Sequence, residues 1–293
     1  MDISTVLRRT GDVVAYLVIA AALVVFLFPL FWIVDTSFKP FSEVFSIPPK
    51  FFNFSPTLEN YKHVFVTNTE FTTGGTASSV STGFQHYFTN SIILAATSTA
   101  LALALGTATA YAFSRFRIKG ANDILFFILS QRMLPPVVVI IPIFLLYRQL
   151  NLIDTYQGMI ILYTTFNLPF AVWMMKGFLD EIPKEYEDAA MVDGYTRLQA
   201  FFKVIIPQAL PGMAATAVFA LITVWNEFVF GLLLTSEVAR PAPPFLVSAQ
   251  TVGGIDWGQI AAASTIFVTP VIIFTFLVRN YLLRGVTFGA VRR

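Results

Sequence analysis

Six stretches of this chain are each long and apolar enough to cross a hydrocarbon core, which takes about 20 mostly apolar residues. They cover residues 13–34, 84–113, 124–147, 155–175, 204–235 and 259–278, and four of them contain no Asp, Glu, Lys or Arg. The exceptions are Arg132 in the third and Glu227 in the fifth. In lipid every backbone polar group must be satisfied within the segment, so stretches of this length read as helices. The expected fold is all-α: a polytopic membrane protein with six transmembrane helices. No internal repeat divides the chain, so residues 1–293 are expected to form a single transmembrane domain.

Composition agrees. Only 12% of the 293 residues are charged, about half the share usual in soluble domains. The absence of cysteine excludes disulfides and thiolate metal sites. Two histidines, His63 and His86, are too few and too far apart for a His-based metal site, so no metal is expected. A net charge of +2 disfavours nucleic acid as a partner. Arg8 and Arg9 precede the first apolar run, which is too long for a signal peptide and lacks a small-residue cleavage site, so it is read as a retained span.

Orientation follows from the basic side chains. With the amino terminus inside, thirteen Lys and Arg fall in inner segments and five in outer ones, with Arg132 within a span. That bias predicts both termini in the cytoplasm. The external loop, 35–83, contains a Thr-, Ser- and Gly-rich stretch over 68–81 that reads as mobile and unable to form a core. A second outer segment holds Pro241-Ala242-Pro243-Pro244, expected to be stiff and extended.

The most informative cytoplasmic stretch is 180–207. Pro183 suits the first turn of a helix, and Glu185, Glu187 and Asp188 crowd an amino-terminal end where the helix dipole favours acids. Gly194 after Asp193 is a left-handed terminator, and Thr196 with Gln199 has the spacing of a capping box. A short helix, a turn and a second helix entering the fifth span are expected. On the residues alone this is either a contact lever, with small Ala189 and Ala190 allowing close approach, or an ordinary solvated helical loop.

The same residues resemble the conserved cytoplasmic loop of ABC-importer permeases: Glu-Ala-Ala, three residues, Gly, nine residues, Ile-x-Leu-Pro. Here the pattern reads Asp188-Ala189-Ala190, Gly194, then Val204-Ile205-Ile206-Pro207, with Asp for Glu, Val for Ile and Ile for Leu. Over most of the chain the similarity is to maltose-type carbohydrate permeases. It rests on Ser37-Phe38-Lys39-Pro40, Asn90-Ser91, Trp225-Asn226-Glu227-Phe228 and the end, Gly285-Val286-Thr287-Phe288-Gly289-Ala290-Val291-Arg292. The resemblance implies a non-catalytic permease subunit in a bacterial or archaeal plasma membrane. It also implies a second permease subunit, two ATP-binding subunits that carry ATP and magnesium, an extracytoplasmic solute-binding protein and a carbohydrate substrate. Glu185, Glu187, Asp188, Ala189, Ala190, Asp193, Gly194, Val204, Ile206 and Pro207 would then couple to the ATPases, and the carboxy-terminal tail would reach between them. No Gly-Lys dipeptide occurs, hence no Walker A phosphate loop, and no cofactor is expected in this subunit.

Ionisable residues inside a span default to a functional role facing a cavity or a partner. Glu227, with Asn226, is a candidate for the solute path, and equally for a structural pair or an interfacial position. Arg132 is a candidate for a salt bridge in the bundle or for substrate contact. The tryptophans read as interface anchors, and His86 as a headgroup anchor. A polyol or phosphodiester permease is the near alternative. An ion-coupled secondary transporter is the distant one, since inverted repeats and broken midplane helices are expected there.

Overall fold

The computed structural model describes residues 3–66, 71–73, 76–78, 83–248, 250–251 and 254–288. The principal helices are α1 (Ile3–Ser37), α2 (Phe41–Val44), α3 (Glu59–Val66), α4 (Phe84–Arg115), α5 (Ala121–Ser130), α6 (Pro136–Gln149) and α7 (Tyr156–Glu181). After them come α8 (Glu185–Val192), α9 (Arg197–Ala200), α10 (Ile206–Trp225), α11 (Val229–Leu234), α12 (Ala242–Ser248) and α13 (Trp257–Phe288). Among the described residues five helices are long and apolar enough to cross a membrane, and six spans result if the bent pair, α5 with α6, counts as one.

The bend departs from the uninterrupted third span expected over 124–147. A 3-10 turn, Gln131–Met133, follows α5, and the two halves then diverge by 93°. The cause is Pro135-Pro136. A residue before proline is pushed out of the helical region, and Leu134 and Pro135 are accordingly extended, with ψ of 119° and 135°. Pro136 then opens α6 at a position where its missing N–H costs nothing.

The fifth expected span, 204–235, is also interrupted. The apolar helix runs Arg197–Trp225, and α11 restarts beyond Asn226 and Glu227. The Pro241–Pro244 run is not extended as expected: it enters α12, with Pro243 and Pro244 in the first turn. Within the Thr-rich stretch, Phe71–Thr73 and Thr76–Ser78 pair antiparallel instead of lacking structure, consistent with the strand preference of threonine. The Gly74-Gly75 pair lies outside the described residues.

Two compact units emerge. The first comprises 1–83 and 249–268. Its polar node closes α1: Lys39 Nζ lies 2.6 Å from Asp35 and 4.2 Å from the Trp32 ring, and Asn60 Nδ2 donates to the carbonyls of Ser37 and Lys39. This accounts for the Ser37-Phe38-Lys39-Pro40 signature. Along α1, Tyr16, Val24, Val25 and Phe26 are exposed, as lipid or another helix would require.

The second unit comprises 84–248 and 269–293. Its centre is α4 against α7, with α10 packed on both. At Gly106 the helices approach so closely that a Cβ there would sit 2.6 Å from that of Ala171. At one end of this trio a buried cluster gathers Ala110, Tyr111, Met175, Leu179, Phe201, Ile205 and Ala209. The 180–207 segment is built onto that cluster.

Candidate functional site

The 180–207 segment folds as its local signals predict. Thr155 caps α7 by accepting from Gly158 N–H at 3.1 Å, and α7 ends at Glu181. Lys184 is the cap residue of α8, so Pro183 lies one position before the cap and not in the first turn of the helix as expected. Gly194 adopts φ +91°, a conformation that side-chain-bearing L residues rarely adopt, and reverses the chain. The capping box is complete: Thr196 Oγ1 accepts from Gln199 N–H at 3.3 Å, and Gln199 Oε1 accepts from Thr196 N–H at 2.8 Å. A π-helical segment, Phe201–Ile205, then leads into α10, and Pro207 occupies its first turn.

Burial divides α8 into two faces. Glu187 and Ala190 turn inward, whereas Glu185, Tyr186, Asp188, Ala189 and Val192 are exposed. Asp193 and Gly194 are exposed too, and Leu198 and Phe202 continue the outer apolar surface. Val192 is 87% exposed at the end of α8. The small-residue face is therefore split: Ala189 is available to another surface, and Ala190 is occupied by the chain's own bundle. Of the remaining segment residues, Val204 is half-buried, Ile206 packs against the buried cluster, and Pro207 is exposed.

Glu187 is tied down through both of its carboxylate oxygens. Its Oε1 accepts from the Tyr111 hydroxyl, and its Oε2 lies 3.1 Å from Arg115 Nε. Arg115 donates further to the carbonyls of Leu179 at 3.1 Å and Ile182 at 2.9 Å. Those carbonyls belong to the last turn of α7 and to its cap residue, where helical acceptors run out of partners. Sequence reasoning used Arg115 only to orient the chain and did not single out Tyr111. The available signal was a Tyr–Arg spacing of four at the end of an apolar helix, which puts both on one face.

At the α10–α11 break Glu227 has a defined task. Its Oε1 accepts from Phe230 N–H at 2.9 Å, and its Oε2 accepts from Gly231 N–H at 3.1 Å and the Tyr163 hydroxyl at 2.9 Å. It caps α11 and fastens that helix to α7. Asn226 is exposed, and its amide donates back to Ile222 carbonyl at 2.8 Å. Arg132 and Glu227 line a cavity of about 180 Å³ with Tyr163, Asn167 and Thr223. Arg132 also borders a neighbouring one of about 470 Å³. Its partners are neutral: Phe166 carbonyl at 3.2 Å, with Asn167 Oδ1 and Thr223 Oγ1 both at 3.5 Å, and the Phe170 ring at 5.1 Å. Among the described residues no carboxylate forms a salt bridge with Arg132, so that possibility is set aside.

The opposite end of the unit carries a clamp the sequence did not announce. Asp154, at φ +54°, accepts from Ser236 Oγ at 2.7 Å and from N–H of Glu237, Val238 and Ala239, each at 3.1 Å. Burial raises its carboxyl, but the Ser236 hydroxyl and the N–H of Ala239, Glu237 and Val238 outweigh that and bring it from 3.8 to about 2. Asn90 donates to the carbonyls of Val238 and Arg240 and accepts from the Tyr156 hydroxyl at 2.5 Å. His86 Nε2 lies 2.9 Å from Glu237 carbonyl, so its ring belongs to this clamp. Trp225 is buried and packs edge-on to Phe88 at 6.0 Å, not at an interface. Among the described residues no group of three His, Cys, Asp or Glu could hold a metal.

Comparison with known proteins gives a consistent result. Residues 102–288 match the family described as binding-protein-dependent transport system inner membrane component. The chain is 37% identical over 268 residues to a probable ABC transporter permease protein of Sinorhizobium fredii, covering 92% of this chain and 91% of that one. It is 32% identical over 289 residues to the trehalose/maltose transport system permease protein of Thermococcus litoralis, covering 98% of each. A solved bacterial ABC transporter involved in import of the acidic polysaccharide alginate shares the fold, with a TM-score of 0.74 over 96% of this chain and 98% of that one at 24% identity.

Proposed function

The chain belongs to the binding-protein-dependent inner membrane transport components, and on that premise we propose that it is one permease subunit of an ABC importer for a carbohydrate. It pairs with a second permease, takes solute from an extracytoplasmic binding protein, and is driven by two partner ATPases that hold the ATP and magnesium. Its own residues supply the path and the lever. The observation that carries this reading is the two-faced α8, with an exposed Tyr186, Ala189 and Val192 outside and a pinned Glu187 and Ala190 inside. A helix of eight residues has too little surface to hold its own orientation. Docked on a moving ATPase and fixed to the bundle, it transmits displacement. The trehalose/maltose relative, similar along its whole length, supports a carbohydrate as solute.

The solute path follows the cavity between Arg132 and Glu227, where the polar side chains of two interrupted spans meet. Helix breaks at membrane depth are tolerated where they line a cavity. The test is reconstitution with a second permease, ATPases and a binding protein from the same organism, followed by uptake of radiolabelled trehalose and maltose into ATP-loaded proteoliposomes. ATP-dependent uptake of either sugar is expected. Uptake that ignores ATP and follows an ion gradient would overturn the reading in favour of a secondary transporter. A phosphodiester substrate is the second reading, favoured by the Arg132 guanidinium, whose partners are all neutral. Glycerophosphodiesters competing better than sugars would select it.

A further inference from the structure

We propose that Glu187, Arg115 and Tyr111 form the mechanical joint between α8 and the membrane bundle. On this reading Glu187 is a positioning residue for transport and not part of the surface that meets the ATPase. The inference rests on the transport reading above and adds the route by which movement leaves α8.

The geometry is unusual for a cytoplasmic helix rich in acids. Glu185 and Asp188 are solvent-facing, whereas the Glu187 and Arg115 side chains are 5% and 4% exposed. A buried ion pair adds little stability over well-packed apolar side chains of similar size, so stability alone is a weak reason to have one. Its distinctive property is direction. The guanidinium is planar, with donors in a fixed fork, and here each side of the fork goes to a different element. Nε reaches α8 at Glu187, Nη1 reaches Leu179 carbonyl in α7, and Nη2 reaches Ile182 carbonyl just beyond α7. Arg115 is itself the last residue of α4, and Tyr111 one turn earlier holds the other Glu187 oxygen. Three elements thus meet on one carboxylate and one guanidinium.

Apart from this cluster, α8 packs through buried Ala190 and against the π-helical segment Phe201–Ile205. Apolar contacts transmit a push but are non-directional, so they fix no particular direction for α8, whereas the ion pair does. Beyond the turn at Gly194, Phe201 and Ile205 are buried beside Tyr111, whose ring is 4.6 Å from that of Phe201. Movement of α8 therefore reaches α4 and α7 through the ion pair, and α10 through the apolar cluster.

The test uses the assembled transporter with its partner subunits. Because the chain has no cysteine, spin labels can be placed at Lys184→Cys, the cap residue of α8, and at Leu105→Cys on α4, both exposed in the chain. In the otherwise unaltered protein the label distance is expected to be narrow, and the same without nucleotide and with vanadate-trapped magnesium ATP. Glu187→Gln is expected to broaden it and to keep ATP hydrolysis within about twofold. Maltose or trehalose uptake per ATP is expected to fall at least about fivefold, the scale of a typical coupling free energy. Tyr111→Phe, which removes one hydroxyl, should give the same split more mildly. The reversed pair Glu187→Arg with Arg115→Glu should recover part of the uptake per ATP. An unchanged label distance and uptake per ATP in Glu187→Gln would overturn the joint. So would loss of assembly in both Glu187→Gln and Tyr111→Phe with no recovery in the reversed pair, which would mark the cluster as structural only. If the unaltered transporter took up neither sugar, the carbohydrate reading would fail instead, and the label distances would still judge the joint.

Discussion

Glu227 shows how an intramembrane charge acquires a task from the backbone around it. A helix that restarts inside a span leaves its first N–H groups without partners, and unsatisfied donors in lipid are costly. Glu227 takes two of them and Tyr163 fills another lone pair, so the carboxylate is fixed before any solute arrives. Glu227→Ala is expected to cost about 1–2 kcal/mol through loss of the cap and to lower uptake strongly. Glu227→Gln keeps one acceptor and should do less, and Tyr163→Phe should be mildest. Melting of the detergent-solubilised protein, read beside sugar uptake, checks the order. Equal melting and equal uptake in all three would remove Glu227 from both roles. Asp154 gives a prediction in pH. Its folded pKa of about 2 lies below the ordinary 3.8, so its contribution is complete above that ordinary value and is lost as pH falls through the folded one. For a part-exposed group this amounts to on the order of 1 kcal/mol once solvent screening is allowed for. The 235–240 loop should therefore become protease-sensitive between roughly pH 4 and pH 2, and Asp154→Asn should be sensitive at neutral pH.

Among elements, the 180–207 segment was the most legible in sequence because its determinants are local. A left-handed Gly194 and the Thr196–Gln199 box act over three or four residues, and both are present as read. The spans were legible as lengths of apolar chain but not as unbroken helices. The third breaks because Pro135-Pro136 forces two extended residues, a signal present in the sequence but discounted because membrane helices tolerate proline. The Pro241–Pro244 run became a helix start for the converse reason, since proline in a first turn loses no hydrogen bond. What could not be read was which acid of α8 faces inward, because that depends on Tyr111 and Arg115, more than seventy residues away in the chain. This reshapes the substitutions that probe the lever. Ala190→Arg would force a charge into the protein's own bundle, so a loss of transport there reports misfolding. Ala189→Arg and Val192→Asp alter the exposed face. They should leave melting within about 0.5 kcal/mol of the parent, as surface changes do, while abolishing co-purification with the ATPase subunits. Retained co-purification and uptake in both would show that this face meets nothing.

At the scale of the whole molecule the open question is which way the chain sits in the membrane, and the second unit offers a direct test. Arg115, Lys184, Arg197 and Lys203 cluster at the end that carries α8, along with the acids of its first turn. The other end holds Arg148 and Arg240 around the Asp154 clamp. Lys and Arg in short loops near span ends set topology, whereas Asp and Glu contribute little, so the acids of α8 do not cancel the bias. The end with α8 is thus expected in the cytoplasm, where ATP is available to a partner ATPase. The absence of native cysteine makes single-cysteine labelling clean. Val238→Cys sits in the loop gripped by Asp154 and is exposed, and Thr196→Cys lies in the turn after α8 and is exposed as well. In intact cells a membrane-impermeant maleimide should modify position 238 and spare position 196. In inside-out vesicles the pattern should invert. Labelling of position 196 from outside intact cells would reverse the orientation. It would also remove α8 from reach of any cytoplasmic ATPase, and the lever reading would fall with it.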